Sequence, residues 1–266
     1  MPIWIIIALA VLFVWIAISV VLYFIQDSMI FHAEKLPLDY EFSFNYEFEE
    51  LNLKTDDGEN LNGLIFRAKS PKGAFLLFHN HSGNLNHWSR TAISLNNLNY
   101  DVLMMDYRGF GKSTGQFNED LMLKDALLWY DLMLKFYDED SIIVYGRGLG
   151  AAFATYVSSK NNPSKLVLEA PIYSVYETAK IHYPYIPIKL ILKYKFETYK
   201  YIEQVKCKTY IFHGIKDELV PFKNSEMLHQ IIQDHCELLL IPEGDHYDLI
   251  NSPIYLDKIE EITRKG

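Results

Sequence analysis

Two cysteines in 266 residues are too few for a disulfide scaffold or a cysteine-rich zinc module. Positive charge is also short: 25 Lys and Arg stand against 34 Asp and Glu, for a formal net charge of −9. A nucleic-acid binder normally carries a basic face, so nucleic acid is not an expected partner. Internal repeats and low-complexity linkers are missing as well. With 50% hydrophobic and 15% aromatic residues, the chain is too apolar to be disordered. Its length suits one large α/β domain or two small ones.

What the chain does have is one long apolar run, IWIIIALAVLFVWIAISVVLYFI, over residues 3–25, with no charge inside it. A bilayer core asks for roughly 20 apolar residues in a helix. A buried core helix of that length would carry a polar face. A cleaved signal peptide wants a basic start, an apolar stretch of about 7–15 residues and a small-residue cleavage site. No Lys or Arg precedes this run. The reading is a single-pass anchor over residues 1–26, with Trp4 and Tyr23 near its ends, where aromatic rings suit the headgroup zone. The nearest basic residue is Lys35, so the sequence does not say which side of the membrane the domain faces. Residues 27–42 read as a polar stem, and residues 43–266 as one domain.

Within that domain, residues 43–54 and 61–68 look like paired strands with Asp56-Asp57-Gly58 near the turn. Short apolar runs then alternate with longer helical stretches. The runs are Ala74–Phe78, Asp101–Met105, Ile142–Tyr145, Lys165–Leu168, Lys208–Phe212 and Glu237–Ile241. This alternation predicts right-handed βαβ units, hence a mostly parallel α/β sheet with flanking helices. Chemistry in such sheets sits beyond the C-terminal strand ends.

Five strand-end motifs follow in order: His79-Asn80-His81-Ser82-Gly83, Asp106-Tyr107-Arg108-Gly109, Gly146-Arg147-Gly148-Leu149-Gly150, His213-Gly214 through Asp217 to Pro221, and Gly244-Asp245-His246. At these residues the chain resembles the α/β-hydrolase family. The nearest branch is the membrane-anchored, serine aminopeptidase-like group related to the yeast bud-emergence proteins. The resemblance runs from about Ser43 to the C-terminus. It implies a Ser–Asp–His triad whose Ser is the third residue of G-x-S-x-G. By position the acid is Asp217, the base is His246 and the nucleophile position is Gly148. Glycine has no oxygen with which to form an acyl-enzyme. Gly146, Gly150 and Ala151 still permit the tight strand-to-helix turn.

The resemblance also implies oxyanion donors from the backbone N–H of Leu149 and from the loop containing Asn80 and His81. Relatives carry His-Gly-Asn where this chain has His79-Asn80-His81, a second departure at the same site. The implied ancestral reaction is hydrolysis of an ester or amide, and the implied ligand is lipid-like or acylated. The alternatives are a membrane-tethered binding or scaffold protein, and an enzyme that uses the His246–Asp217 dyad as a general base.

Other candidates are weaker. Ser82 could replace the nucleophile, but a turn-stabilising Ser is the simpler reading. The run Gly111-Lys112-Ser113-Thr114 lacks the first glycine of a phosphate loop, because position 106 is Asp. His79, His81, His246 and Asp217 are metal-ligand types, but their spacing is no recognised metal motif, so no metal and no cofactor is expected. Cys207 and Cys236 begin strands expected to be neighbours; a disulfide forms only if their side chains face each other, and two free, buried thiols are the simpler reading. Residues 171–205 have room for a small helical cap, broken by Pro184 and Pro187. Six lysines against two glutamates over Lys180–Lys206, interleaved with aromatics, could lean on anionic headgroups or admit an acyl chain. The simpler expectation for that charge is a solvated face. Membrane lipid is the expected partner.

Overall fold

The computed structural model describes residues 1–264, so the last two residues of the expected domain lie outside the described residues. The elements are α1 (Ile3–Ile30), β1 (His32–Ala33), β2 (Phe48–Lys54), β3 (Asn60–Phe66), β4 (Ala74–Phe78), β5 (Ser82–Gly83), α2 (Leu85–Asn96), β6 (Asp101–Met105) and α3 (Glu119–Met133). They continue with β7 (Ile142–Arg147), α4 (Gly150–Lys160), β8 (Lys165–Glu169), α5 (Val175–His182), α6 (Ile188–Ile191), α7 (Thr198–Ile202), β9 (Lys208–Gly214), α8 (Lys223–Ile231), β10 (Cys236–Ile241) and α9 (Pro253–Thr263).

Eight strands form one sheet in the order β10-β9-β8-β7-β4-β6-β3-β2. Strand β3 runs antiparallel to β2 and β6, and the other pairings are parallel. All six apolar runs expected as strands are strands, four of them one or two residues longer than expected. Strands β4 and β6 are buried along their whole length, because helices cover both faces of the sheet. Helices α2 and α9 close one face with Trp88, Leu95, Tyr255 and Ile259. Helices α3, α4 and α8 close the other with Trp129, Phe153 and Leu228. Side chains of Asn84, Asn118 and Ser174 accept from the first-turn N–H groups of α2, α3 and α5, which is why those helices begin there. Cys207 and Cys236 are free and buried, and burial pushes both thiols up to about 12.

Helix α1 continues past the apolar run into residues read as stem. Its 28 residues span about 42 Å, and its most apolar window has a mean hydropathy of 3.2. It meets the length and hydropathy criteria for a membrane span. The chain then packs on the domain. Phe31 is buried and stacks on Phe117 with ring centroids 4.4 Å apart. Strand β1 pairs in parallel with β5, His32 opposite Ser82. Phe42 is buried against the α2 side of the sheet.

The cap consists of α5, α6 and α7. Its positive charge is partly used internally: Lys180 pairs with Glu177, Lys200 with Glu197 and Lys193 with Asp27 at the end of α1.

Candidate functional site

The ends of β4, β7, β9 and β10 converge as the parallel topology requires. Strand β7 passes into α4 through Gly148, whose φ of +56° lies in the left-handed region that glycine adopts at little cost. Its N–H donates to the Glu169 carbonyl at 2.9 Å. Gly150 opens α4 directly against the carbonyls of Phe78 and His79, where any Cβ would collide. The helix can therefore sit on the end of β4.

Beyond β9, Asp217 is pinned from several sides. Its Oδ1 accepts from the N–H groups of Leu219 (3.0 Å) and Val220 (2.8 Å). Its Oδ2 lies 2.7 Å from His246 Nδ1 and 3.2 Å from His213 Nε2. The Val220 carbonyl can only accept, so His213 Nε2 carries a proton, and its Nδ1 is hydrogen-bonded with Ser225 Oγ at 2.6 Å. Burial alone would raise the Asp217 carboxyl. The hydrogen bonds from His213 and His246 outweigh it and hold the group below the ordinary carboxylate range.

The third group in the site is the carboxamide of Asn80, buried at the end of β4. Its Oδ1 accepts from the backbone N–H of Leu149 at 3.0 Å and of His81 at 2.8 Å. Two backbone donors require an oxygen there, which fixes the orientation of the amide. Its Nδ2 therefore points the other way and donates to His246 Nε2 at 3.0 Å. His246 is then the tautomer with its proton on Nδ1, donated to Asp217. A Cβ on Gly148 would lie 2.6 Å from Asn80 Nδ2 and closer still to its Cγ and Oδ1. The Asn80 side chain thus fills the space where a residue at 148 would place its side chain.

Asn80, His81, Gly148, Leu149, Asp217 and His246 are accordingly together at one place. His79 is not with them: its Nε2 lies 3.4 Å from Asp106 Oδ1, and its Nδ1 donates to the Asn80 carbonyl at 2.6 Å. Among the described residues no group of three or more His, Cys, Asp or Glu is placed to hold a metal. Ser82 is held in β5, and Ser113 ties the Asn62 N–H to the Asp106 carbonyl at 2.8 Å each.

Two further residues of the motifs, not singled out as candidates, contact Asp217 and His246. One is His213, the first residue of the Asp217 motif. The other is Arg147, buried with its Nη2 donating to the His246 carbonyl at 3.1 Å. Arg147 is paired with the fully buried Glu169 at 3.3 Å and lies over the Trp88 ring at 5.3 Å. A charge inside an otherwise apolar strand was the available signal for it.

His81 is pushed down to about 4, mainly by burial and then by His32, His246 and His79. Its folded value lies below the unfolded value of about 6.5. The unfolded chain therefore takes up a proton that the folded chain refuses. Stability is expected to fall as pH drops from about 6.5 toward 4, with a slope of up to about 1.4 kcal/mol per pH unit. Unfolding by urea across that range checks it. His81→Gln is expected to flatten the slope, and an unchanged slope refutes the assignment.

A cavity of about 450 Å³ opens beside the site. Asn80, His81, Gly148, Leu149, Leu219, Val220 and His246 line it from the strand ends, and cap residues and α1 form the rest.

Residues 69–201, half of the chain, match the family model described as serine aminopeptidase, S33. The chain belongs to the α/β-hydrolase family. An uncharacterized protein of Mycobacterium tuberculosis is 29% identical over 213 residues, covering 78% of this chain and 76% of that protein. Protein bem46 of Schizosaccharomyces pombe is 30% identical over 200 residues, covering 71% of this chain and 66% of its own. The structure of the Pyrococcus furiosus esterase Pf2001 superposes with a TM-score of 0.69 at 20% identity, covering 86% of this chain and 96% of the esterase. That last likeness is one of fold.

Proposed function

We propose that this α/β-hydrolase-family chain is anchored in a membrane by α1 and uses its site to bind a ligand, not to form an acyl-enzyme. In this reading Gly148 stands at the nucleophile position, and Asp217 and His246 remain as the acid and base. The N–H groups of Leu149 and His81 are the oxyanion donors. One observation carries the reading: the Asn80 carboxamide. Its oxygen takes the hydrogen bonds of both donors, and its NH₂ takes the lone pair of His246 Nε2.

A serine hydrolase needs a nucleophile, a free base and empty oxyanion donors. Here the first is absent and the other two are engaged by the protein's own side chain. The same contact weighs against the dyad as a general base on water, because that chemistry needs a free Nε2.

The test is direct. Purified full chain in detergent is incubated with a fluorophosphonate probe and with short acyl esters. No adduct and no hydrolysis above background are expected. Turnover that disappears in His246→Ala overturns the proposal.

A further inference from the structure

The anchor helix and the cap are fastened together in a way that fixes their relative depth. Trp15 Nε1 donates to the Tyr185 carbonyl at 2.9 Å. Eleven residues further on, Gln26 Nε2 donates to the Ile191 carbonyl at 2.8 Å, and Gln26 Oε1 accepts from the Lys193 N–H at 2.9 Å. Tyr194 and Lys193 close the seam on Asp27. The cap therefore runs alongside about 16 Å of α1.

A hydrocarbon core needs roughly 20 residues of helix. Counted from Ile3, the apolar run cannot cross it without including Trp15 and Ser19. The stretch of cap level with those residues must then lie at membrane depth. Its exposed apolar side chains fit that position: Tyr185 is 88% exposed and Leu190 85% exposed, with Ile181 and Tyr183 also open. The one charge of the stretch, Lys189, is exposed too and has a stem long enough to carry it toward the headgroups. Its backbone fits too. In hydrocarbon an unpaired carbonyl costs several kcal/mol, and here side chains of α1 pair those of Tyr185 and Ile191. In water, solvent would serve the same groups.

The cavity beside the site lies inside this assembly. Leu22, Gln26, Met29 and Ile30 of α1 form one wall, and Ala179, Ile186 and Ile188 of the cap face it. Its polar lining is Asn80, His81 and His246 at the strand ends, with Gln26 of α1 and Thr178 and His182 of the cap. Its volume is within the range of about 300–1,000 Å³ usual for ligand sites.

We infer that this cavity takes the acyl chain of a single-chain membrane lipid directly from the bilayer, between α1 and the immersed cap, with the lipid's ester or carboxyl group beside Asn80 and His81. The acyl chain lies along apolar side chains of α1 and the cap. Lipid tails are as apolar as those side chains, so the transfer itself discriminates little and selectivity comes from the polar end. The inference gives the bound ligand of the preceding section its class and rests on that reading.

The full chain is reconstituted in phosphatidylcholine nanodiscs with increasing amounts of a diazirine-bearing palmitoyl lysophosphatidylcholine. It is then irradiated and its peptides mapped. Label is expected on residues 178–192 as well as on 22–30, saturating with probe. Ala179→Trp, which fills the cavity, is expected to lower the label by about tenfold. Thermal unfolding reports whether that variant is folded, and Ile186→Trp from the other end of the cap wall is the second obstruction. Label confined to residues 3–25, label that rises in proportion to probe, or label indifferent to both folded variants would mean annular lipid and overturns the inference. Release of free palmitic acid from the bound probe, abolished in His246→Ala, supports the cavity while overturning the non-hydrolytic reading. The two can therefore fail separately.

Discussion

Gly148→Ser alone is expected to stay unreactive toward a fluorophosphonate, while Gly148→Ser combined with Asn80→Gly reacts. On the proposed reading of Gly148 as the nucleophile position, a serine there looks sufficient on paper, since losing the nucleophile of a well-studied triad costs about a million-fold in turnover. Here a Cβ at 148 meets the Asn80 carboxamide. For the hydroxyl introduced by Gly148→Ser to reach His246, Asn80 has to leave and give up its hydrogen bonds to Leu149, His81 and His246. Removing the Asn80 side chain frees the base and both donors at once. The double variant is expected to label on the order of a thousand-fold faster than either single variant, which stay within about tenfold of background. Labelling is followed by intact-protein mass. Equal rates for Gly148→Ser and the double variant would sink the idea that Asn80 occupies the site.

Arg147→Met is expected to lower stability by about 3–5 kcal/mol, the usual cost of stranding one partner of a buried ion pair. Burial works against the Arg147 charge, but Glu169 beside it raises its proton affinity overall. Glu169 is fully buried, and without Arg147 its carboxylate keeps Tyr145 as its side-chain donor. At about 2–4 °C per kcal/mol for a chain of this size, the melting temperature should drop by roughly 10 °C. Adding Glu169→Gln removes the stranded charge and should recover part of the loss. A single variant within about 1 kcal/mol of the parent would show that the pair is not electrostatically coupled. The same substitution frees the His246 carbonyl from Arg147, so the histidine loop is expected to loosen as well.

The strands were legible because burial on both faces leaves only apolar residues to choose from, so Ala74–Phe78 and Asp101–Met105 are read with their ends intact. Strands ending in glycine or charge, such as β7 and β9, extend beyond the apolar pattern, which fades at Arg147 and His213. The segment 27–42 reads as polar stem because its buried residues, Phe31 and Phe42, are separated by charged ones. Only the packing of the chain against α2, α3 and the cap gives those two rings a place.

The sequence by itself determined the order of the strand-end motifs, a glycine at 148, Asp217 and His246 as candidates, and an apolar helix long enough for a bilayer. Each is a property of residue type at a position along the chain. What tertiary structure decided was the use of Asn80. Gly148 and Asn80, 68 positions apart, become one feature because the turn after β7 and the loop after β4 meet over the start of α4. The position of the cap along α1 was decided in the same way, by hydrogen bonds between Trp15, Gln26 and a segment more than 160 residues away. Hydrogen-bond direction and excluded volume depend on where atoms lie in space, and a linear pattern of residue types does not carry that information.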